Sequence, residues 1–376
     1  MPDHTGRRRR QSNLPIARLL VLVAALAAVV VAIVLPEAAR VPAPATPPLT
    51  VVPTWSGPAP LRVTGMLADG ASYEPRIYLT ADTSVGIADS GDGSPVRVIL
   101  RGRAGRVTEL RRLNGGDRPQ FDGFAVSGDT LVWAESVSRE DSPVSTTLWR
   151  TNWRTGARPS LITSKTGDPN FFGGQFDLLV QAGRVYWAAV GAGSTAVTEI
   201  RSVPLSGGQV STKKINGEYA LTTWPWAVSV AGGRGTPVEL VNMSTNKRIK
   251  VPTNAAEISA CSPQWCRMAV LGDNALVRID LQRPDGTDRR RIAGNEATPT
   301  VVDVALLDRF VPLKTDRGDE ASADGAGLSL YDITSGKTDL VATGVANVQA
   351  RYGVLWWSTG TGDELMWFAI DLRALS

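Results

Sequence analysis

The chain has 376 residues, with 40 Lys or Arg, 36 Asp or Glu and one His, which gives a formal net charge of +4. This excess comes from the first 50 residues, so the remainder is formally neutral and offers no electrostatic case for nucleic acid as a partner. Because the single histidine is His4, the rest of the chain lacks a Ser-His-Asp unit, a His-ligated zinc and a histidine general base.

The N-terminal region contains a long apolar stretch at residues 14–36, and Leu19 to Leu35 include no charged or polar residue. About 20 apolar residues are enough to cross a bilayer as a helix. Four arginines at residues 7–10 precede the stretch, which predicts that residues 1–13 form a cytoplasmic tail. We predict a transmembrane anchor at 14–36, and the alternative is a cleaved secretory signal ending near Ala43-Pro44-Ala45.

Both alternatives place the remaining chain outside the cytoplasm, and the anchor predicts a single-pass protein of the cell membrane. Residues 37–58 are rich in proline, which favours an extended and semi-rigid tether. Residues 59–376 then form the extracytoplasmic domain.

Residues 59–376 contain short apolar runs that alternate with polar residues and are broken by Gly, Asp, Asn and Pro. This pattern is typical of an all-β fold. Strand–turn–strand units recur, and "YDITSGKTDLV" at 331–341 is the clearest copy. Before each unit lies another pair of runs, in which the second run carries a large aromatic. These aromatics are Trp133, Trp187, Trp226, Trp265, Phe310 and Trp356.

The aromatics are separated by 54, 39, 39, 45 and 46 residues, and a period of about 40–50 residues indicates the four-stranded blades of a β-propeller. A weaker first unit fits 73–112. The last unit, 347–376, lacks one strand, which residues 59–67 would supply. We therefore predict seven blades closed by an N-terminal strand, with six or eight as alternatives. The aromatics are expected to pack between blades, and stacking on a ligand is the alternative.

The repeated Asp-x-x-[Ser/Thr]-Gly-Lys turn, best seen in "YDITSGKTDLV", resembles the broad TolB-like and quinoprotein-like propellers of bacterial envelopes. The resemblance implies an extracytoplasmic propeller. The Gly-His and Trp-Asp signature of WD40 repeats is absent, and so is the regular Trp that ends the Gly-Lys turn in quinoprotein blades. No quinone cofactor is therefore predicted.

Cys261 and Cys266 are the only cysteines and lie in "CSPQWC". Export to an oxidising compartment and the turn-forming Pro263 favour a disulfide between them over two free thiols. Two cysteines without a nearby histidine supply too few ligands for a zinc site.

An acidic residue precedes or begins the first strand of most predicted blades. Because first strands line the channel of a propeller, these acids are candidates for a site at the channel mouth. Solvated turns are the alternative explanation for them. The candidates are Asp122, Asp177, Glu218, Glu257 and Asp303.

Two acidic, glycine-rich loops suggest calcium, which prefers clustered carboxylate and carbonyl oxygens. They are "ADSGDGSP" (88–95), with Asp89 and Asp92, and "TDRGDEASADGAG" (315–327), with Asp319 and Asp324. Neither loop has the spacing of an EF-hand, so ordinary surface loops are the alternative. No cofactor is predicted apart from this possible calcium, and no firm metal site is predicted.

The favoured function is non-catalytic binding of an envelope protein or cell-surface ligand by a membrane-anchored propeller. The alternative is a carbohydrate-active hydrolase that uses channel carboxylates as acid and base or nucleophile. Two carboxylates meeting in an open pocket would favour the enzyme, whereas an apolar channel would favour the binding module.

Overall fold

Short strands joined by turns make up the computed structural model, which describes residues 55–90, 95–139, 142–193, 196–230, 233–273, 275–315 and 326–375. All of these belong to one of the two units into which the chain divides, residues 48–376. The predicted cytoplasmic tail, membrane anchor and most of the tether lie outside the described residues. Within the described ranges, no helix is both long and apolar enough to span a bilayer.

Seven antiparallel sheets contain the described strands, and we number them blades 1–7 in chain order. The first strand, β1 (Leu61–Thr64), belongs to blade 7. Blade 1 contains β2 (Ser72–Thr80), β3 (Thr83–Asp89), β4 (Val96–Arg101) and β5 (Val107–Leu113). Blade 2 contains β6 (Gln120–Ser127), β7 (Thr130–Val137), β8 (Ser145–Asn152) and β9 (Ser160–Thr163). Blade 3 contains β10 (Asp168–Pro169), β11 (Leu179–Gln181), β12 (Arg184–Val190), β13 (Val197–Pro204) and β14 (Ser211–Asn216).

Blades 4–7 repeat the same antiparallel order. Short 3-10 turns occur at 103–105 in blade 1, at 115–117 between blades 1 and 2, and at 362–364 and 372–375 on either side of β29. Blade 4 contains β15 (Tyr219–Leu221), β16 (Trp226–Ser229), β17 (Glu239–Asn242) and β18 (Arg248–Lys250), and blade 5 contains β19 (Glu257–Cys261), β20 (Cys266–Gly272), β21 (Ala275–Gln282) and β22 (Arg290–Gly294). Blade 6 contains β23 (Ala297–Pro299), β24 (Phe310–Thr315), β25 (Gly327–Asp332) and β26 (Lys337–Ala342). Blade 7 contains β27 (Val348–Arg351), β28 (Val354–Thr359) and β29 (Met366–Asp371), together with β1.

The hydrophobic core consists of seams between neighbouring blades. One cluster of buried apolar side chains joins each adjacent pair, including blade 7 with blade 1. Between blades 1 and 2, for example, Ile77 and Val98 meet Phe124 and Trp133. Because each blade is a thin sheet that exposes two faces, it buries both only when a neighbour packs on either side.

The aromatics of the repeat lie in these seams, and all but one are buried. Trp226 is the exception: it is half-buried at the edge of the seam between blades 4 and 5. Several indoles also hydrogen-bond across a seam. The Nε1 of Trp265 donates to the carbonyl of Asp308 at 3.0 Å, and the Nε1 of Trp367 in blade 7 donates to the carbonyl of Tyr73 in blade 1 at 3.0 Å.

The N-terminal strand closes the ring, as the sequence predicts. β1 pairs with β29 in antiparallel register, from Leu61 opposite Ala369 to Thr64 opposite Met366. Blade 7 therefore combines three C-terminal strands with one N-terminal strand. The prediction of seven blades, including the weak first unit, is confirmed, and six of the seven sheets have four strands.

Blade 3 departs from the repeat in its first strand. β10 and β11 both pair with β12, and they are separated by residues 170–178. We call residues 170–178 the channel segment, because they leave the sheet on its inner side. The repeat in the sequence does not predict this interruption.

The predicted disulfide is present. Cys261 ends β19 and Cys266 begins β20, the two residues are opposite each other in the ladder, and their sulfurs are 2.11 Å apart. The bond therefore closes the hairpin of blade 5 at its turn.

Closure by β1 leads to a prediction for proline substitution. The N–H of Gly65 donates to the carbonyl of Leu365 at 2.6 Å. Hydrogen-bonded pairs alternate with non-bonded pairs along an antiparallel ladder, so we expect the N–H of Val63 to donate to the carbonyl of Trp367, which lies opposite it. Val63→Pro removes this donor, and we expect it to lower the free energy of unfolding by about 1–3 kcal/mol in urea denaturation.

Arg62→Pro is the matched control, because the N–H of Arg62 points away from β29 and an edge strand tolerates proline there. An equal loss of stability in both variants would contradict closure of the ring through this ladder.

Candidate functional site

The channel segment crosses from blade 3 to the opposite side of the ring. The Nη1 of Arg351 in blade 7 donates to the carbonyl of Gly174 at 2.8 Å. The backbone N–H of Tyr352 donates to the Oε1 of Gln175 at 2.9 Å. The backbone N–H of Gln175 donates to the Oδ2 of Asp303 in blade 6 at 3.4 Å. Since blades 6 and 7 lie opposite blade 3 in a ring of seven, the segment spans the central channel.

Local sequence explains why the chain leaves the sheet here. The N–H of Asn170 makes the last bond to β12, to the carbonyl of Ala188 at 3.0 Å. Gly173 then adopts a φ of +79°, a conformation that favours glycine and lets the chain turn away. On the facing strand of blade 2, Gly123 has a φ of +55°, and a Cβ there would lie 2.7 Å from the Cγ of Leu178. A glycine at 123 thus leaves room for the channel segment.

Asp177 holds the turn of the channel segment. Its two carboxylate oxygens accept hydrogen bonds from the backbone N–H groups of Phe172 and Gly173, at 2.9 and 2.8 Å. Burial raises the pKa of Asp177 to about 6, although these N–H donors and the nearby Arg351 oppose the shift. The neighbouring Asp303 adds to the increase.

Asp303 lies in the loop between β23 and β24 of blade 6. Burial raises the pKa of its carboxyl group, while hydrogen bonds from Gln175 and the charges of Arg351 and Arg267 oppose the increase. The buried guanidinium of Arg267 donates to the carbonyls of Asp303 and Val301, at 3.0 and 3.2 Å, and fixes this loop. Burial lowers the pKa of Arg267 to about 10.

A cavity of about 210 Å³ lies beside the channel segment. One wall is the segment itself, and the others come from the inner strands of blades 4 and 5 and the loop of blade 6. Most of its lining is apolar. The lining includes Phe172, Phe176, Asp177, Val230, Val302, Asp303 and Asp308.

The structure brings together only some of the predicted acids. Asp177 and Asp303 line the same cavity. Asp122 lies on β6 outside that cavity, and burial raises the pKa of its carboxyl group against the charges of Arg76 and Arg351.

The other two acids, Glu218 and Glu257, do not line the cavity. Glu218 is exposed before β15. Glu257 is buried and bonds the Nη2 of Arg289 at 2.7 Å. Burial works to raise the pKa of Glu257, but hydrogen bonds from Asn254 and Arg289 outweigh it and lower the pKa.

Sequence reasoning missed the channel segment and its partners Gln175 and Arg351. A signal was present, because the 54 residues between Trp133 and Trp187 are the widest spacing of the repeat. The extra residues are those of an insertion in blade 3, and "FFGG" at 171–174 marks its turn.

The calcium candidates are only partly within the described residues. Asp92, Asp319 and Asp324 lie outside them, and Asp89 ends β3. In the described part of the chain, no group of three or more His, Cys, Asp or Glu side chains is arranged to hold a metal ion. Calcium at these loops stays a prediction.

Comparison with known proteins identifies the fold. No protein-family model and no curated protein matches the chain in sequence. Solved structures do match. An oligogalacturonate lyase in complex with manganese has 12% identity and a TM-score of 0.51, and the match covers 84% of this chain and 97% of that chain.

Two further matches come from named organisms. The β-propeller domain of the Trilobed protease from Pyrococcus furiosus, described with an open velcro topology, has 11% identity and a TM-score of 0.51 over 80% of this chain and 95% of that chain. TolB from Acinetobacter baumannii has 10% identity and a TM-score of 0.34, and the match covers 78% of this chain and 64% of that chain.

This chain is a seven-bladed β-propeller. The predicted β-propeller fold is confirmed, and identities this low show the fold alone. Unlike the open velcro topology of the Pyrococcus domain, the ring here is closed by β1 and β29.

The raised pKa of Asp177 predicts a pH-dependent stability difference. Between about pH 4 and 6 the folded chain keeps the proton of Asp177 while the unfolded chain has released it, so raising the pH favours unfolding. Over this window, we expect wild type to lose up to about 3 kcal/mol of unfolding free energy relative to Asp177→Asn, which does not titrate. Urea denaturation across pH measures this difference.

Asp69→Asn provides a control of opposite sign. A hydrogen bond from Arg97 lowers the pKa of Asp69, so wild type gains stability relative to that variant as the pH rises through the acid range. A stability difference between wild type and Asp177→Asn that does not change with pH would contradict a raised pKa.

Proposed function

We propose that this chain is a membrane-tethered, extracytoplasmic propeller that binds an envelope protein or ligand and has no catalytic activity of its own. The anchor predicted at residues 14–36 and the proline-rich tether at 37–58 support the location. The observation that carries the proposed function is the largely apolar cavity beside the channel segment. Apolar, concave surfaces with few polar groups are typical of binding sites.

The hydrogen bonds of the cavity acids support binding over catalysis. Both carboxylate oxygens of Asp177 accept backbone N–H groups of its own turn, so this side chain stabilises the channel segment. The described residues contain no histidine to act as a base, and the side chains of the cavity lining that can exchange a proton are the carboxyl groups of Asp177, Asp303 and Asp308.

A carbohydrate-active hydrolase is the second candidate function, and one observation favours it. Asp177 and Asp303 line the same cavity, and burial raises the pKa of Asp177 to about 6. A protonated and an ionised carboxyl group are the pair that glycoside hydrolysis requires.

Site-specific photocrosslinking tests the binding function. The full-length protein carries p-benzoylphenylalanine in place of Val302, which lines the cavity and is 57% exposed. The control position is Val144, which is 60% exposed and lies beside β8 of blade 2, away from the cavity. In the protein's own membranes, we expect Val302 to yield a reproducible crosslinked product that Val144 does not.

Purified protein incubated with polysaccharides of the cell envelope provides the opposing measurement. The hydrolase is supported if wild type releases reducing ends and Asp177→Asn and Asp303→Asn each abolish this release. Together with the absence of any crosslink specific to position 302, this result would contradict the binding function.

A further inference from the structure

The cavity beside the channel segment combines an apolar lining with three carboxyl groups. Phe172, Phe176 and Val302 contribute apolar surface, and Asp177, Asp303 and Asp308 contribute the acids. Within the described part of the chain, the lining includes no Lys or Arg side chain. The cavity is therefore both apolar and negatively charged.

Acids elsewhere in the described propeller are compensated by arginine when they are buried. Glu135 receives two bonds from the guanidinium of Arg111, at 2.8 and 2.9 Å. Glu257 bonds Arg289 at 2.7 Å. None of the three cavity acids has a salt bridge to a described residue. The half-buried Asp122 outside the cavity also has none, so the cavity differs from the rest of the described fold by grouping three such acids in one apolar lining.

The arginines nearest the cavity use their N–H groups on backbone carbonyls. Arg351 donates to Gly174 at 2.8 Å, and Arg267 donates to Asp303 at 3.0 Å. These contacts hold the channel segment and the loop of blade 6 in place. Asp177 and Asp303 are left with the long-range charge of these groups, and Asp308 with that of Arg283. None of the three carboxylates has a direct ionic contact with a described residue.

Asp303 and Asp308 have capacity for a further hydrogen bond. The Oδ2 of Asp303 accepts a long bond from the N–H of Gln175, 3.4 Å, and no described residue donates to the carboxylate of Asp308. Burial raises the pKa of both groups. Asp303 is half-buried and Asp308 is exposed. A cation beside them would offset the cost of the partial burial of Asp303 and could reach Asp308 from solvent.

The size of the cavity and its rim indicate the kind of partner. A volume of about 210 Å³ is below the roughly 300–1,000 Å³ of cavities that enclose a drug-sized molecule. The apolar lining continues to the surface at Val230 and Val302, which are 36% and 57% exposed. The cavity thus has room for one side chain, while the rim offers apolar contact to a larger body.

We propose that the cavity binds a peptide segment of the partner in which an apolar side chain is next to a lysine or arginine. The apolar side chain fills the cavity, and the cation bonds the carboxylates of Asp303 and Asp308. This inference rests on the proposed binding function and specifies its ligand chemistry.

Calorimetric titration of the full-length protein in lipid nanodiscs with short peptides tests the inference. The probe is acetyl-Gly-Phe-Lys-Gly-amide, and the matched peptides replace Lys with Glu or Phe with Ser. We expect the Phe-Lys peptide to bind at least about tenfold more tightly than either, because each replacement removes one of the two contacts. Its binding is expected to weaken at high salt.

Variants of the protein test whether the carboxylates of Asp303 and Asp308 bond the cation of the peptide. Asp303→Asn and Asp308→Asn are each expected to weaken binding of the Phe-Lys peptide by about tenfold, the cost of losing a charge-assisted hydrogen bond. Asp339→Asn is the matched control, because Asp339 lies on β26, the outer strand of blade 6, and the charge change is the same. Far-ultraviolet circular dichroism checks that each variant is folded.

Equal affinity for the Lys and Glu peptides, or unchanged affinity in both Asp303→Asn and Asp308→Asn, would overturn the inference. Benzylamine binding as tightly as the Phe-Lys peptide would also overturn it, since a small amine would then suffice. If the peptides fail while position 302 still crosslinks a partner, the ligand chemistry is wrong and the binding function stands. If no peptide binds and position 302 yields no crosslinked partner, the binding function itself is rejected.

Discussion

Closure of the ring is the constraint on which the rest of this structure depends. Every blade buries its faces only against its two neighbours, so an open ring would expose the seam between blades 7 and 1, including Trp356 and Trp367. Burying each large apolar side chain contributes about 1.5–3 kcal/mol. The ladder of β1 on β29 and the bond from Trp367 to Tyr73 hold that seam shut.

A closed ring leaves a central channel, and the channel segment exists because of it. The segment has no strand partner for most of its length, so its carbonyl groups need other donors. Arg351 from blade 7 supplies one to Gly174, and backbone N–H groups of the segment bond Asp177. A contact between blades 3 and 7 is available only when the ring is complete, so the cavity is a product of the closed fold.

The sequence predicts the architecture well and the site poorly, for a physical reason. Blade number, the closing strand and the disulfide follow from local patterns: strand alternation, a repeated aromatic and two cysteines at a turn. The candidate site depends on contacts 128 to 178 residues apart, such as Gln175 with Asp303 and Arg351 with Gly174. No local sequence pattern predicts such pairs, although the spacing of 54 residues between Trp133 and Trp187 indicates that blade 3 contains an insertion.

Two uses of arginine separate the scaffold of this propeller from its candidate site. In the blades, Arg111 and Arg289 bond buried glutamates and join strands through charge. At the channel, Arg351 and Arg267 bond carbonyls and fix loops, so the acids beside them stay without an ionic partner among the described residues. Burying uncompensated carboxyl groups lowers stability. The arginines of the blades compensate buried glutamates, whereas the apolar cavity groups three carboxyl groups that have no ionic partner among the described residues. A cationic partner would supply the missing charge.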